Sequence, residues 1–380
     1  MKRYCKKVDI TDENFIRQCA QKALKGKWKR NDVLRYCGRL LQCSAREEVE
    51  TPIGRSVLLD KITEQIRHEL LNHKLHMPKI FYRQRMDASS FKVRNIGIEN
   101  IKQQIYDYIA VEAIQDLLKR VGEFQCASIK KRGIRYGVQY VQRWVRQPSA
   151  RYFVQLDIKQ CFPSIPHDKI LAFLRKYIAN DEVYWLIETL ITSFDSGLVI
   201  GSYLSQHLCN LYLSQLYHEI KENMFYTKRN AKMPQVQHVL FYMDDILLIG
   251  SNKTQLRHAV KHIIDFAASK LGLTIKPTWQ IHPLDDTHFI DMMGYRIYPT
   301  HTTLRRRVFL RARRAFKGKY RKKLTYEQAQ KCVSYYGYFV HTDLYHFTHK
   351  YKIPSIIYKA RRVISNASTI LNGSAASAAS

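Results

Sequence analysis

Residues 238–250 read HVLFYMDDILLIG. Val239, Leu240 and Phe241 lead in, and Ile246, Leu247, Leu248 and Ile249 lead out, two apolar runs with the length and composition of buried strands. Two adjacent carboxylates, Asp244 and Asp245, interrupt them. Desolvating an unpaired carboxylate costs several kcal/mol. The pattern therefore expects a turn at Met243–Asp244, with both acids at the tip of a β-hairpin where a cation can neutralise them. A turn with solvated aspartates is the plain alternative, since Asp is common in turns. A second stretch speaks against it. Residues 151–158, RYFVQLDI, read as a strand whose end carries Asp157. If that strand lies beside the hairpin, Asp157 and Asp244 face each other across two strands. Converging carboxylates repel unless divalent metal binds, and hard oxygen ligands select Mg²⁺, which also takes substrate phosphates. Two such ions can clamp the attacking and leaving oxygens of an in-line phosphoryl transfer.

The rest of the chain fits a partner rich in phosphate. Lys plus Arg is 63 against 32 Asp plus Glu over 380 residues, a net charge of +31. Such a field calls for a polyanion, nucleic acid before an anionic membrane surface. An apolar content of 46% supports a packed core and excludes a disordered chain. No apolar run reaches the roughly 18 residues of a spanning helix, and no signal peptide is visible at the N-terminus. Eight cysteines are scattered without a CxxC pair, which argues against structural zinc and for reduced, packed thiols in a cytoplasmic protein.

Along the chain, residues 99–121 show a helical apolar period at Ile101, Ile105, Ile109, Ala113 and Leu117. Helices are expected at 167–178, 202–225 and 253–271, a strand near LTIKPTWQI, and a basic helical tail from 304 onward. No internal repeat is visible. Helices thus cover one face of an antiparallel sheet, an α+β arrangement whose other face is free to hold a ligand. The expected divisions are a basic helical extension at 1–75, then 76–150, 151–300 and a basic helical region at 301–372. GSAASAAS, at 373–380, lacks charge and apolar bulk and reads as a linker or appended tail.

Five motifs in order resemble the reverse transcriptases: FVQLDIKQCFPSIPH, GLVIGSYLSQHLCNLYLS, YMDD between apolar strands, KLGLTIKPTWQI and DMMGYRI. The resemblance covers roughly residues 80–300. It implies a right-hand polymerase with fingers, palm and thumb (76–150, 151–300 and 301–372), and RNA-directed DNA synthesis. Asp157, Asp244 and Asp245 become the catalytic metal carboxylates, joined by the backbone carbonyl of Ile158, on two Mg²⁺ ions or Mn²⁺. Phe162 becomes a steric gate against the ribose 2′-OH. Lys92 and Arg94 would meet the dNTP triphosphate together with Gln206, and Gly201, Asn210, Tyr242, Met243 and Gly294 would serve template and primer. As single residues, Phe162 also reads as a core aromatic and the basic strand around Lys92 and Arg94 as a solvated one.

The segment CASIKKRGIRYG departs from the bacterial pattern of the family, since Ile129, Lys130 and Lys131 stand where Phe-Arg-Pro is expected. Ile200, Gly201, Ser205 and Gln206 resemble the enzymes of diversity-generating retroelements, in which this variant goes with error-prone copying of adenine. Phage-defence reverse transcriptases, which work with a structured non-coding RNA, are the neighbouring reading, and self- or protein-priming is open. A catalytically vestigial RNA-binding scaffold is the reading without chemistry. No acid cluster after YMDD suggests an RNase H domain. The tail at 304–323 carries eleven Lys or Arg in twenty residues. Arg305, Arg306, Arg307, Arg311, Arg313 and Arg314 are its candidate RNA contacts. The partners implied are an RNA template, primer and cDNA, dNTPs, and a structured RNA or accessory protein, with no membrane. The implied setting is the cytoplasm of a bacterium, or of the host of a phage-encoded enzyme.

Overall fold

A computed structural model describes residues 2–86 and 93–376, with side chains as far as residue 367. Its helices are α1 (Glu13–Leu24), α2 (Asn31–Leu41), α3 (Pro52–Leu71), α4 (Ile101–Ala113), α5 (Gln115–Leu118), α6 (Ile134–Trp144), α7 (Cys161–Ser164), α8 (His167–Tyr177), α9 (Asp181–Thr192), α10 (Tyr203–Glu222), α11 (Lys253–Phe266), α12 (Arg306–Phe316), α13 (Tyr326–Phe339), α14 (Tyr345–Lys350) and α15 (Ile353–Ala376). The strands are β1 (Phe81–Met86), β2 (Val93–Ile98), β3 (Gln125–Cys126), β4 (Tyr152–Asp157), β5 (Phe225–Lys228), β6 (Ala231–Pro234), β7 (His238–Tyr242), β8 (Asp245–Gly250), β9 (Ile281–Pro283), β10 (Ile290–Met292), β11 (Tyr295–Ile297) and β12 (Thr302–Leu304). The fold is α+β, and the ladders β1–β2, β10–β11, β11–β12, β4–β9 and β7–β8 are antiparallel.

The chain forms two compact units. One comprises residues 1–129, 156–225 and 258–278, and the other 130–155, 226–257 and 279–380. The first is built around α4, against which α1, α2, α9 and α10 pack. Its apolar stripe was legible, but burial goes further: Lys102, Gln103 and Asp107 are buried as well. Lys102 pairs with Glu69 of α3, which also accepts from Tyr106 Oη at 2.6 Å. The N-terminal extension is thereby part of this core. Asp12 caps α1 by accepting from Phe15 N, and Thr51 with Pro52 starts α3, both standard ways to satisfy the orphan donors of a first turn.

In the second unit, β7, β8, β4 and β9 lie in that order in one sheet, β4 contributing its first four residues to this unit. β4 thus lies beside the hairpin, as its sequence suggested. β10, β11 and β12 form a separate sheet, and α12, α13 and α15 pack together. Two expectations shift. The long helix expected at 253–271 ends its α-part at Phe266 and continues as one π-turn, Ala267–Leu271, closed by Gly272 in the left-handed region. At the C-terminal end α15 runs through Ala376 and so enters the segment 373–380, where alanine, the best helix former, recurs.

Candidate active site

In the second unit, β7 and β8 pair from His238↔Ile249 to Tyr242↔Asp245, leaving Met243 and Asp244 as a two-residue turn. Met243 has φ +54°, the left-handed geometry that tight hairpin turns demand. Val239–Phe241 and Ile246–Ile249 are at most 1% exposed, whereas Tyr242–Asp245 are half-buried. The core thus anchors the strands and lifts the acids to its edge. Met293 and Gly294 turn between β10 and β11 with φ +56° and +90°. Arg305 pairs with Asp291, and its backbone N donates to Gly294 O at 2.9 Å. It braces that hairpin. Arg306, Arg307, Arg313 and Arg314 are exposed. Arg313 donates to Tyr351 Oη at 3.3 Å, while Arg311 and Arg314 line a recess of about 310 Å³ with Lys319, Lys331 and Tyr335.

In the first unit, Asp157 closes β4. Its backbone O accepts from Lys276 N at 2.9 Å, and Ile158 bridges Ile275. Its carboxylate is split in use: Oδ2 accepts from Lys276 Nζ at 2.6 Å, while Oδ1 is buried with no donor near it. An acceptor-only oxygen left this way suits a cation, so the residue fits the metal role. Among the described residues, however, no group of three or more His, Cys, Asp or Glu side chains could hold an ion. Lys276 was missed in sequence because a lysine in an exposed-looking strand carries no signal of its distant partner.

Phe162 is half-buried on the one-turn helix α7, its backbone O accepting from Leu198 N at 2.8 Å. Gly201 has φ +115°, and a Cβ there would meet Gly97 O at 2.5 Å. A close approach that demands glycine is thus made to the backbone of β2, where Gly97 N donates to Ile200 O at 2.8 Å. Gln206 and Asn210 are likewise engaged within the protein. Gln206 Oε1 accepts from Ser128 Oγ at 2.8 Å, and Asn210 Nδ2 donates to Ala127 O at 3.0 Å with the residue 1% exposed. Together they hold Ala127 and Ser128, two consecutive non-glycine residues with φ +71° and +53°. On β2, Arg94 stands directly opposite Arg85 of β1. Lys92 lies outside the described residues.

A second pair of acids was not foreseen. Glu99 and Asp107 are 3% and 0% exposed and within hydrogen-bonding reach of each other. Asp107 Oδ2 accepts from Ser202 Oγ at 2.8 Å and Leu204 N at 2.9 Å, a carboxylate at the N-terminus of α10. Burial above all, then the charge of Asp107, pushes Glu99 up to about 9, and burial raises Asp107 too. Both shifts favour the protonated form. The only sequence signal was an acid amid the apolar residues of α4.

A family model described as "Reverse transcriptase (RNA-dependent DNA polymerase)" matches residues 87–281, just over half of the chain. The chain belongs to the reverse transcriptase family. A search of curated protein sequences finds no match. Among solved structures it is similar to apo telomerase from Candida tropicalis truncated from its C-terminal domain, at 14% identity and TM-score 0.43, covering 60% of this chain and 54% of that one. Apo telomerase from Candida tropicalis matches at 10% and 0.48, covering 78% and 58%. The same organism's telomerase in complex with a fragment of telomeric RNA matches at 11% and 0.46, covering 82% and 58%. The chain thus spans little more than half the length of these structures.

Proposed function

We propose that the protein is an RNA-directed DNA polymerase that extends a primer with dNTPs along an RNA template. The observation that carries this reading is the half-buried Tyr242–Asp245 turn held between two fully buried strands, in a chain of this family. Asp157, Ile158 through its carbonyl, Asp244 and Asp245 would hold two Mg²⁺ ions. When bound, these would supply charge neutralisation at the attacking and leaving oxygens. The chain's own residues bind and orient. Arg85 and Arg94 stand opposite each other in the β1–β2 ladder, where they would meet the dNTP triphosphate. Phe162 would exclude the ribose 2′-OH by bulk. Basic residues on and around α12 would neutralise phosphates of template and primer.

The biological setting follows from Ile200 and Gln206, which favour a diversity-generating retroelement, with error-prone copying of adenine. The hold of Gln206 on Ser128 gives a route for this: it would act on fidelity through the loop that leads into Lys130, Lys131 and Arg132. The departure of that loop from the family pattern favours the phage-defence reading instead, with a structured RNA partner.

The test is primer extension on an RNA template with Mg²⁺. Incorporation by wild type, lost in Asp244→Ala and Asp245→Ala with the fold intact, supports the polymerase; no incorporation by wild type leaves the RNA-binding scaffold. Phe162→Ala should admit ribonucleotides. Ile200→Gln should lower misincorporation opposite adenine, and an unchanged error spectrum would favour the defence reading.

A further inference from the structure

Beneath Phe162, two thiols meet. Cys161, the first residue of α7, and Cys209, near the middle of α10, have their Sγ atoms 3.7 Å apart. They are 3% and 0% exposed and 48 residues apart in sequence. None of the eight cysteines is in a disulfide, and burial pushes Cys5 and Cys37 up to about 11 and Cys19 up to about 12. A disulfide needs a sulfur separation of about 2.05 Å, so closing this pair takes a movement of under about 2 Å.

We propose that Cys161 and Cys209 are a modification site: a hydroperoxide converts them into a reversible disulfide that pins the turn after β4 to α10. The local structure makes Cys161 the sulfur oxidised first. It heads a single helical turn preceded by Gln160, which has φ +47° and is exposed, as is Lys159. Such a segment opens at little cost, whereas Cys209 is locked in a twenty-residue helix. Cys161 gives up its proton and attacks the peroxide as thiolate; an S–O bond forms, the O–O bond breaks, and the departing hydroxide takes that proton and leaves as water. Cys209, as thiolate, then attacks the sulfenic sulfur; the S–S bond forms, the S–O bond breaks, and a second water leaves. Two thiols are oxidised and one peroxide is reduced to two waters.

The consequence follows from chain connectivity. Phe162 is the next residue, and Asp157 is four residues upstream, so drawing Cys161 toward α10 displaces the segment between them. A displacement of about 1 Å at a positioning group costs up to about 10²-fold in rate, so oxidation should slow primer extension about tenfold or more. This effect rests on the polymerase reading; formation of the bond does not.

The experiment treats purified protein with hydrogen peroxide, blocks remaining thiols with an alkylating reagent and maps the digested peptides by mass. The expected result is a Cys161–Cys209 cross-linked pair, lighter by two hydrogens than the separate peptides, removed by a thiol reductant and absent from Cys161→Ser and Cys209→Ala. Exposed Cys43 reports that oxidant was present. Recovery of Cys161 and Cys209 as alkylated thiols while Cys43 is oxidised overturns the proposal, as does oxidation of Cys161 to the sulfinic acid without a cross-link. If the cross-link forms but primer extension is unchanged and insensitive to reductant, the regulatory consequence fails. If it forms in protein with no extension in either redox state, the polymerase reading fails and the modification site stands.

Discussion

At the end of β4, the Asp157 side chain is 35% exposed, one oxygen is answered by Lys276 and the other has no hydrogen-bond partner. At the base of α4, Glu99 and Asp107 are all but sealed from solvent and settle the same difficulty with a proton. Both places put carboxylates into a largely apolar core. Each leaves a buried oxygen without a hydrogen-bond partner, Asp157 Oδ1 in the first and Glu99 Oε1 and Asp107 Oδ1 in the second; the difference lies in what the other oxygens do. The first sets Oδ2 against a partly exposed lysine, a geometry that suits a cation. The second turns Asp107 Oδ2 on Ser202 and Leu204 and so becomes a joint between α4 and α10. A carboxylate near a displaceable lysine is suited to chemistry, and a protonated pair locked onto a helix terminus is suited to holding shape.

Breaking each side of this contrast should give effects of different kinds. Asp157→Asn keeps the size of the side chain and removes its charge, and should cut DNA synthesis by about 10³-fold or more, the equivalent of several kcal/mol of lost charge stabilisation. Circular dichroism and thermal melting should remain near wild type; a collapsed melt would make Asp157 structural. Asp107→Leu attacks the other side. It strands the Ser202 hydroxyl and Leu204 N–H in the core and should cost about 2–4 kcal/mol in denaturant unfolding. A loss below 1 kcal/mol would remove the joint from the account.

Glu99→Gln sharpens the comparison through pH. The Glu99 carboxyl is raised on folding from 4.5 to about 9. An acid raised in this way stabilises the fold fully below its unfolded pKa and loses that contribution as pH climbs through the folded value. Wild type should therefore lose stability between about pH 5 and 9, by at most about 1.4 kcal/mol per unit, and Glu99→Gln should flatten that slope. Parallel unfolding curves for the two proteins across this range would show that no proton is held there. The smallest effect belongs to Lys276→Ala. The pair is partly exposed, so its loss should change stability by under about 1 kcal/mol. It should nonetheless lower the Mg²⁺ concentration at half-maximal activity, because the ion no longer competes with the ammonium for Asp157. An unchanged metal titration would leave Lys276 a surface pairing only.

The hairpin and β4 were legible because each carries a local pattern: two unbroken apolar runs and an acid at a strand end. The turn at Met243–Asp244 follows from apolar runs on both sides. What sequence could not show are partners set by tertiary closure. Gln206 and Asn210 looked like residues facing a substrate, four apart on one helix face. Their partners, Ser128 and Ala127, are 78 and 83 residues away. Arg305 belonged to a charge run, yet Asp291 claims it. Lys276 and Asp107 were passed over for the same reason. A polar side chain declares its chemistry locally, but whether a protein group already occupies it depends on the fold.

The glycines at 97 and 201 carry a consequence for tolerance to substitution. A Cβ at 97 would collide with Val199 Cγ1 at 2.2 Å, whereas one at 201 would collide with the backbone carbonyl of Gly97, with φ already at +115°. The first obstacle is a side chain and can be trimmed; the second cannot. In a library of variants, alanine at 97 should reappear among survivors that also shorten Val199. Position 201 should admit no second-site rescue at all, so that of two glycines in one contact, only one is negotiable.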